Sequence, residues 1–155
     1  MNTQASSILN LPPREAFLVG LVGKPWRANA RGPEEFDCWH LAAYIEQKLF
    51  RRALPDIEIP SEPTWKWMID QFSSHVERRN WEENKYAPNQ LITANDGAIV
   101  LMARNRNPAH CGIWLQQEQR IIHCSQDFGV VCDDIMTLRA NGWAKLRFYE
   151  PKVSQ

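Results

Sequence analysis

The apolar residues of this chain change their spacing once. Before Pro88 they recur three and four apart, in stretches long enough for helices; after it they come in short runs broken by polar turn residues. Few folds accommodate that order. Helices with one apolar stripe must bury it against something, and a later antiparallel meander supplies the face. The expectation is an α+β fold, with N-terminal helices packed on a C-terminal antiparallel β-sheet. At 155 residues the chain is long enough for a sizeable core, and no repeat, low-complexity tract or linker divides it. Residues 1–155 therefore read as a single domain, with 1–12 a loose lead.

Glu15–Val22 reads as a short first helix, and Gly23–Glu35, rich in Gly, Pro, Asn and Arg, as an irregular loop. A helix should begin at Asp37-Cys38, with Asp37 as N-cap and Cys38, Leu41, Ala42, Ile45 and Leu49 as its buried stripe. Trp65, Met68, Ile69, Phe72 and Val76 predict a second long helix from Thr64 to about Glu83. Strands are expected at Ala98–Met102, His110–Leu115, Arg120–Cys124, Phe128–Cys132 and Ala144–Tyr149.

Charge excludes some classes. Lysines plus arginines equal aspartates plus glutamates at 18 each, so no general attraction draws the chain to nucleic acid or to anionic membrane. Ala16–Val22, the longest early apolar run, is too short for membrane insertion. It also lacks signal-peptide form, since no basic residue precedes Arg14 and Pro12-Pro13 interrupts the approach. The expectation is a protein made in the cytoplasm without a cleaved signal, its four cysteines free thiols.

One of those thiols stands where chemistry is favoured. Unpaired backbone N–H groups and the positive end of the macrodipole at a helix N-terminus favour a thiolate and can donate to an oxyanion. Cys38 holds that position. A base must come from elsewhere, and His110 and His123 fall in two strands of one expected hairpin. A two-residue turn at Gln117-Glu118 pairs Gly112 with His123, which makes His110 and His123 diagonal neighbours on one face. Cys111 and Cys124 then lie opposite each other on the reverse face, away from the chemistry. In this reading Cys38 is the nucleophile, His110 takes its proton and later passes it to a leaving amine, and His123 fixes the tautomer of His110.

Other residues carry plainer readings. His40 and His75 read as helix-surface residues without metal geometry. The pairs His110-Cys111 and His123-Cys124 offer only one ligand per strand face, so zinc is not favoured and no cofactor is expected. Trp26 and Trp39 flank the thiol in sequence and are candidate substrate contacts.

Phe36-Asp37-Cys38-Trp39-His40-Leu41 resembles the D-C-[SW]-G-L nucleophile motif of NlpC-type cell-wall cysteine peptidases. His110-Cys111-Gly112-Ile113-Trp114-Leu115 resembles their H-V-G-I-Y-[IL] motif, and Arg120–Cys124 the following strand that supplies the third polar residue. Gly23-Lys24-Pro25-Trp26 is similar to G-x-P-Y, twelve positions before the cysteine, and Asp96–Met102 to the G-D-[IV]-V-L-[FM] strand. The resemblance implies a papain-like fold and a hydrolase, endopeptidase or amidase, of peptidoglycan stem peptides, typically at the γ-D-glutamyl–diaminopimelate bond. It places Asp37 and the upstream aromatic, here Trp26, near the substrate's peptide end. Leu54-Pro55-Asp56 after a D-C-W motif is most like members from tailed phages, which implies a tail location, with other tail-tip proteins as candidate partners.

Three departures stand out: Trp26 for Tyr, Asp96-Gly97 for Gly-Asp, and His40 for Gly, where a bulky residue is expected to narrow the groove. The altered Trp26 and His40 positions motivate a second reading, a structural tail-tip or tail-assembly protein that keeps the fold. A third is an acyltransferase or deamidase using the same Cys-His dyad.

Overall fold

The computed structural model describes residues 10–74, 80–85, 91–105 and 109–152. Helices α1 (Pro13–Leu21), α2 (Cys38–Phe50) and α3 (Trp65–Ser74) come first. Strands β1 (Trp81–Asn84), β2 (Ile99–Ala103), β3 (His110–Leu115), β4 (Arg120–Ser125), β5 (Gly129–Asp133) and β6 (Lys145–Pro151) follow, with a short helix α4 (Ile135–Ala140) between β5 and β6. They form one sheet in the order β1-β6-β2-β3-β4-β5, each neighbouring pair antiparallel. The architecture is the expected α+β one.

The sheet is buried on both faces. On one, Leu41, Ala42 and Ile45 of α2 pack with Ile99, Leu101, Cys111, Ile113 and Ile122. On the other, Val100, Met102, Trp114, Ile121 and Phe148 pack with Leu138 and Trp143. Every position of β2 is buried, which is why its sequence is an unbroken apolar run rather than an alternation. Each large apolar side chain so covered contributes about 1.5–3 kcal/mol.

Asp37 caps α2 as expected, its carboxylate accepting from the His40 amide at 2.8 Å. The hairpin register is also as expected: Gly112 pairs with His123, and Gln116–Gln119 form the connection centred on Gln117-Glu118. Gly112 permits the close approach of these strands, because a Cβ there would sit 2.8 Å from the Ile122 carbonyl and 3.0 Å from the His123 Cβ. Across the molecule Arg14 ties α1 to this turn, with both terminal nitrogens on Asp96 (2.6 and 2.8 Å) and two bonds to Glu118. Asp96 thus works as an anchor, and Gly97 takes the left-handed backbone (φ 88°) that follows it.

Two expectations fail. The second long helix is described over Trp65–Ser74, and it does not reach Glu83 as expected, because Trp81–Asn84 pairs with β6 as an edge strand. Trp81 is buried there, edge-to-face with Phe72. Val76 lies outside the described residues. Helix α4 was not expected either: its six residues are too few for a periodic pattern, although Asp134 caps it through the Thr137 amide. No helix among the described residues is long and apolar enough to cross a membrane.

Candidate active site

Cys38 is the first residue of α2, and that helix end leaves its amide without an intrahelical acceptor. The loop before it is held by a short ladder: the Phe36 amide donates to the Pro25 carbonyl (3.1 Å) and the Arg27 amide to the Phe36 carbonyl (3.0 Å). A second pair of bonds fixes the loop to β5, the Val130 amide to the Lys24 carbonyl and the Gly23 amide to the Val130 carbonyl, both 2.9 Å. These hold Trp26 and Cys38 on the wall of one groove of about 590 Å³, which His110, His123, Asp133, Arg104 and Trp143 also line. The strap Ile59–Pro63 closes another side, held by the Ile59 amide on Asn29 Oδ1 (3.0 Å) and the Ala109 amide on the Pro63 carbonyl (2.7 Å).

The histidines form a hydrogen-bonded chain. His110 Nε2 lies 2.9 Å from His123 Nδ1, and His123 Nε2 lies 2.9 Å from Asp133 Oδ2. The order of donors follows from the carboxylate, which only accepts. His123 Nε2–H donates to Asp133, so Nδ1 of a neutral His123 accepts, and His110 Nε2–H donates to it. That leaves the lone pair of His110 on Nδ1. Burial first, then the neighbouring His123 and Arg104, push the His110 imidazole well below its usual value, so it is a neutral base at neutral pH. Trp143 stacks on its other face, ring centroids 5.0 Å apart and 22° from parallel.

Sequence reasoning missed Asp133 because the fourth expected strand, Phe128–Cys132, stopped one residue short of it. It lies at the end of β5, where Val131 pairs with His123. An acidic residue two positions beyond the partner of a strand histidine, on the same face, was the available signal.

Two expected placements on α2, those of Trp39 and His40, are corrected. Trp39 does not line the groove: it is buried in the core, and its Nε1–H donates to the Pro55 carbonyl at 2.9 Å. Asp37 borders the groove but is only 1% exposed, and its oxygens are taken by the amides of His40 and Asn29 and by His40 Nδ1 (2.8 and 2.9 Å). On the groove wall its oxygens are thus engaged as those of a helix cap. His40 is not a surface residue but 4% exposed, and its Nε2 reaches Asp56 Oδ1 at 3.0 Å. Burial alone would lower its basicity; the bonds to Asp37 and Asp56 outweigh that and raise it, as suits a ring that donates at both nitrogens. His40 therefore sits beneath Asp37 and does not line or narrow the groove. His75 lies outside the described residues.

Cys111 and Cys124 are not remote from the thiol. The face they occupy is the one α2 covers, and both share a buried cluster with Cys38. A hydrogen bond to Cys38, with burial, holds the Cys111 thiol well above its usual value. Cys124 donates to the Phe36 carbonyl at 3.3 Å, and burial pushes its thiol up to about 12. Among the described residues no group of three or more His, Cys, Asp or Glu side chains is placed to hold a metal ion.

A helix headed by a thiol and packed on an antiparallel sheet, with a strand-borne imidazole lining the same groove, is the arrangement of a papain-like fold. The NlpC/P60 family matches residues 23–148, and the chain belongs to that family. Among solved structures it is similar to the NlpC/p60 domain of the peptidoglycan hydrolase SagA, at 16% identity over 97% of each chain with a TM-score of 0.52. It is also similar to NlpC2 from Trichomonas vaginalis, at 17% identity over 87% of this chain and 44% of that one, TM-score 0.50. At such identities the likeness is one of fold. Comparison with curated protein sequences gives no match.

Proposed function

We propose that this protein is a cysteine hydrolase of peptidoglycan stem peptides, with Cys38 as nucleophile and His110 as general base and acid. The observation that carries the reading is the chain Asp133–His123–His110, which leaves a lone pair on His110 Nδ1 in the groove that Cys38 lines. In the first half-reaction Nδ1 takes the thiol proton as sulfur bonds to the scissile carbonyl carbon. The Cys38 amide donates to the oxyanion. As the C–N bond breaks, His110 returns that proton to the leaving amine. Water, deprotonated by the same nitrogen, then cleaves the thioester and frees Cys38.

Family membership and the fold shared with a peptidoglycan hydrolase support the substrate class. The γ-D-glutamyl–diaminopimelate bond is the proposed site of cleavage. The test is mass spectrometry of purified muropeptides after incubation with the wild type and with Cys38→Ala. Cleavage by the wild type alone, with products differing from substrate by one water across that bond, is expected. Cleavage by both proteins, or at a glycosidic bond, overturns the reading.

A further inference from the structure

Beyond His110 the groove continues in a fixed stack. Trp143 lies on the imidazole, and the Arg104 guanidinium lies 4.0 Å from the Trp143 ring. The fold builds this shelf deliberately on the turn after α4. The Gly142 amide donates to the Arg139 carbonyl and the Trp143 amide to the Leu138 carbonyl, each at 3.0 Å. Gly142 has φ 91°, and a Cβ there would stand 3.3 Å from Arg104 Nε, so the arginine lies along a surface that only glycine leaves open. Nε–H donates to the Asn141 carbonyl at 2.9 Å. Among the described residues the two terminal nitrogens have no acceptor, and Arg104 is the only Lys or Arg lining the groove.

Chemistry gives the stack a direction. His110 must hand its proton to the leaving amine, so the leaving residue belongs on the His110 side of Cys38, and Arg104 lines the same groove near enough to His110 to oppose its charge. A planar guanidinium held by stacking and one hydrogen bond, with two N–H₂ groups open, is suited to a carboxylate. We propose that Arg104 is a specificity residue that binds a carboxylate at the end of the leaving residue's side chain. This rests on the hydrolase reading above and selects within it: diaminopimelate has such a carboxylate, whereas lysine ends in an ammonium.

The experiment uses two synthetic stem peptides that differ only in having diaminopimelate or lysine as the leaving residue. The expected result is a wild-type preference in kcat/KM of about tenfold for the diaminopimelate peptide, carried by KM, as for a charged hydrogen-bonded pair. Arg104→Gln brings the ratio toward one and Arg104→Lys restores part of it. Equal rates for the two peptides with the wild type, or an equal loss on both in Arg104→Gln, overturn the proposal and leave the hydrolase reading intact. Should neither peptide be cleaved, calorimetry with Cys38→Ala decides separately: about tenfold tighter binding of the diaminopimelate peptide, lost in Cys38→Ala with Arg104→Gln, upholds the role of Arg104, and equal affinities refute it.

Discussion

Asp133 Oδ2 lies 2.9 Å from His123 Nε2, which makes a β5 carboxylate the far end of a relay that reaches His110. The carboxylate fixes which nitrogen of each ring carries hydrogen. In Asp133→Asn the side-chain amide can also donate, which allows the reversed pattern in which the His110 lone pair points at His123. The expected loss in kcat is about 10- to 100-fold, in the manner of other partners that orient a working side chain. Steady-state kinetics would check it, with an unchanged melting temperature as the control for folding.

The depressed basicity of His110 sets the acid side of the pH profile. Its proton is bound only well below the usual 6.5, because burial, His123 and Arg104 all oppose the charged ring. The neutral base therefore persists as pH falls through 6.5. kcat/KM against pH should hold its plateau through 6.5 and decline only below it.

Gly112→Ala tests the packing that joins the two rings. The new methyl group would press on the Ile122 carbonyl, the Ile121 side chain and the His123 Cβ. Strand β4 must move, and the 2.9 Å contact between His110 and His123 opens. Overpacking of this kind costs about 1–3 kcal/mol, so the melting temperature should drop and kcat with it. Nuclear magnetic resonance of the ring nitrogens would show the broken bond directly.

Glu46 makes stability depend on pH. It is fully buried, its Oε2 takes the Arg52 Nε–H at 2.6 Å, and its Oε1 has no hydrogen-bond partner among the described residues. Burial raises its pKa from 4.5 to about 7 against the opposing pull of Arg52. The folded state thus holds a proton that the unfolded chain releases above about 4.5. The resulting stabilisation is complete below that pH and is lost as pH rises through about 7, by up to about 3 kcal/mol. His40, also raised, loses its share only above 6.5, whereas His110, lowered, contributes the opposite slope below 6.5, because the unfolded ring takes a proton there that the folded one refuses. Denaturant unfolding of both proteins over pH 4.5–6.5 isolates Glu46 as their difference: the stability of the wild type relative to Glu46→Gln should fall as pH rises.

What could be read in advance followed from periodicity. Strand side chains alternate, so one turn position placed His110 beside His123 before any coordinates, and Asp37 marked the start of α2 by its capping chemistry. The misreadings share a different cause. Trp39 adjoins Cys38 in sequence, but successive helical residues point about 100° apart, and it turns into the core. His40 occupies the third helical position, where a capping-box residue reaches back to its cap. That spacing was visible, but the partner Asp56 comes from a loop no pattern locates. Asp133 depended on the register of β5, and Arg104 on a turn after a helix too short to be seen.

The central claim is that His110 activates Cys38, and thiol alkylation tests it without any assumed substrate. The wild type and His110→Ala would be treated with iodoacetamide at neutral pH and the labelled cysteines located by mass spectrometry over time. The hydrogen bond to Cys38, with burial, holds Cys111 as a thiol, and burial holds Cys124 and Cys132, at about 12 and about 11. The account predicts labelling confined to Cys38 in the wild type and at least about tenfold slower in His110→Ala, the low end of general-base effects. Equal rates at Cys38 in the two proteins, or labelling that favours another cysteine, would contradict it.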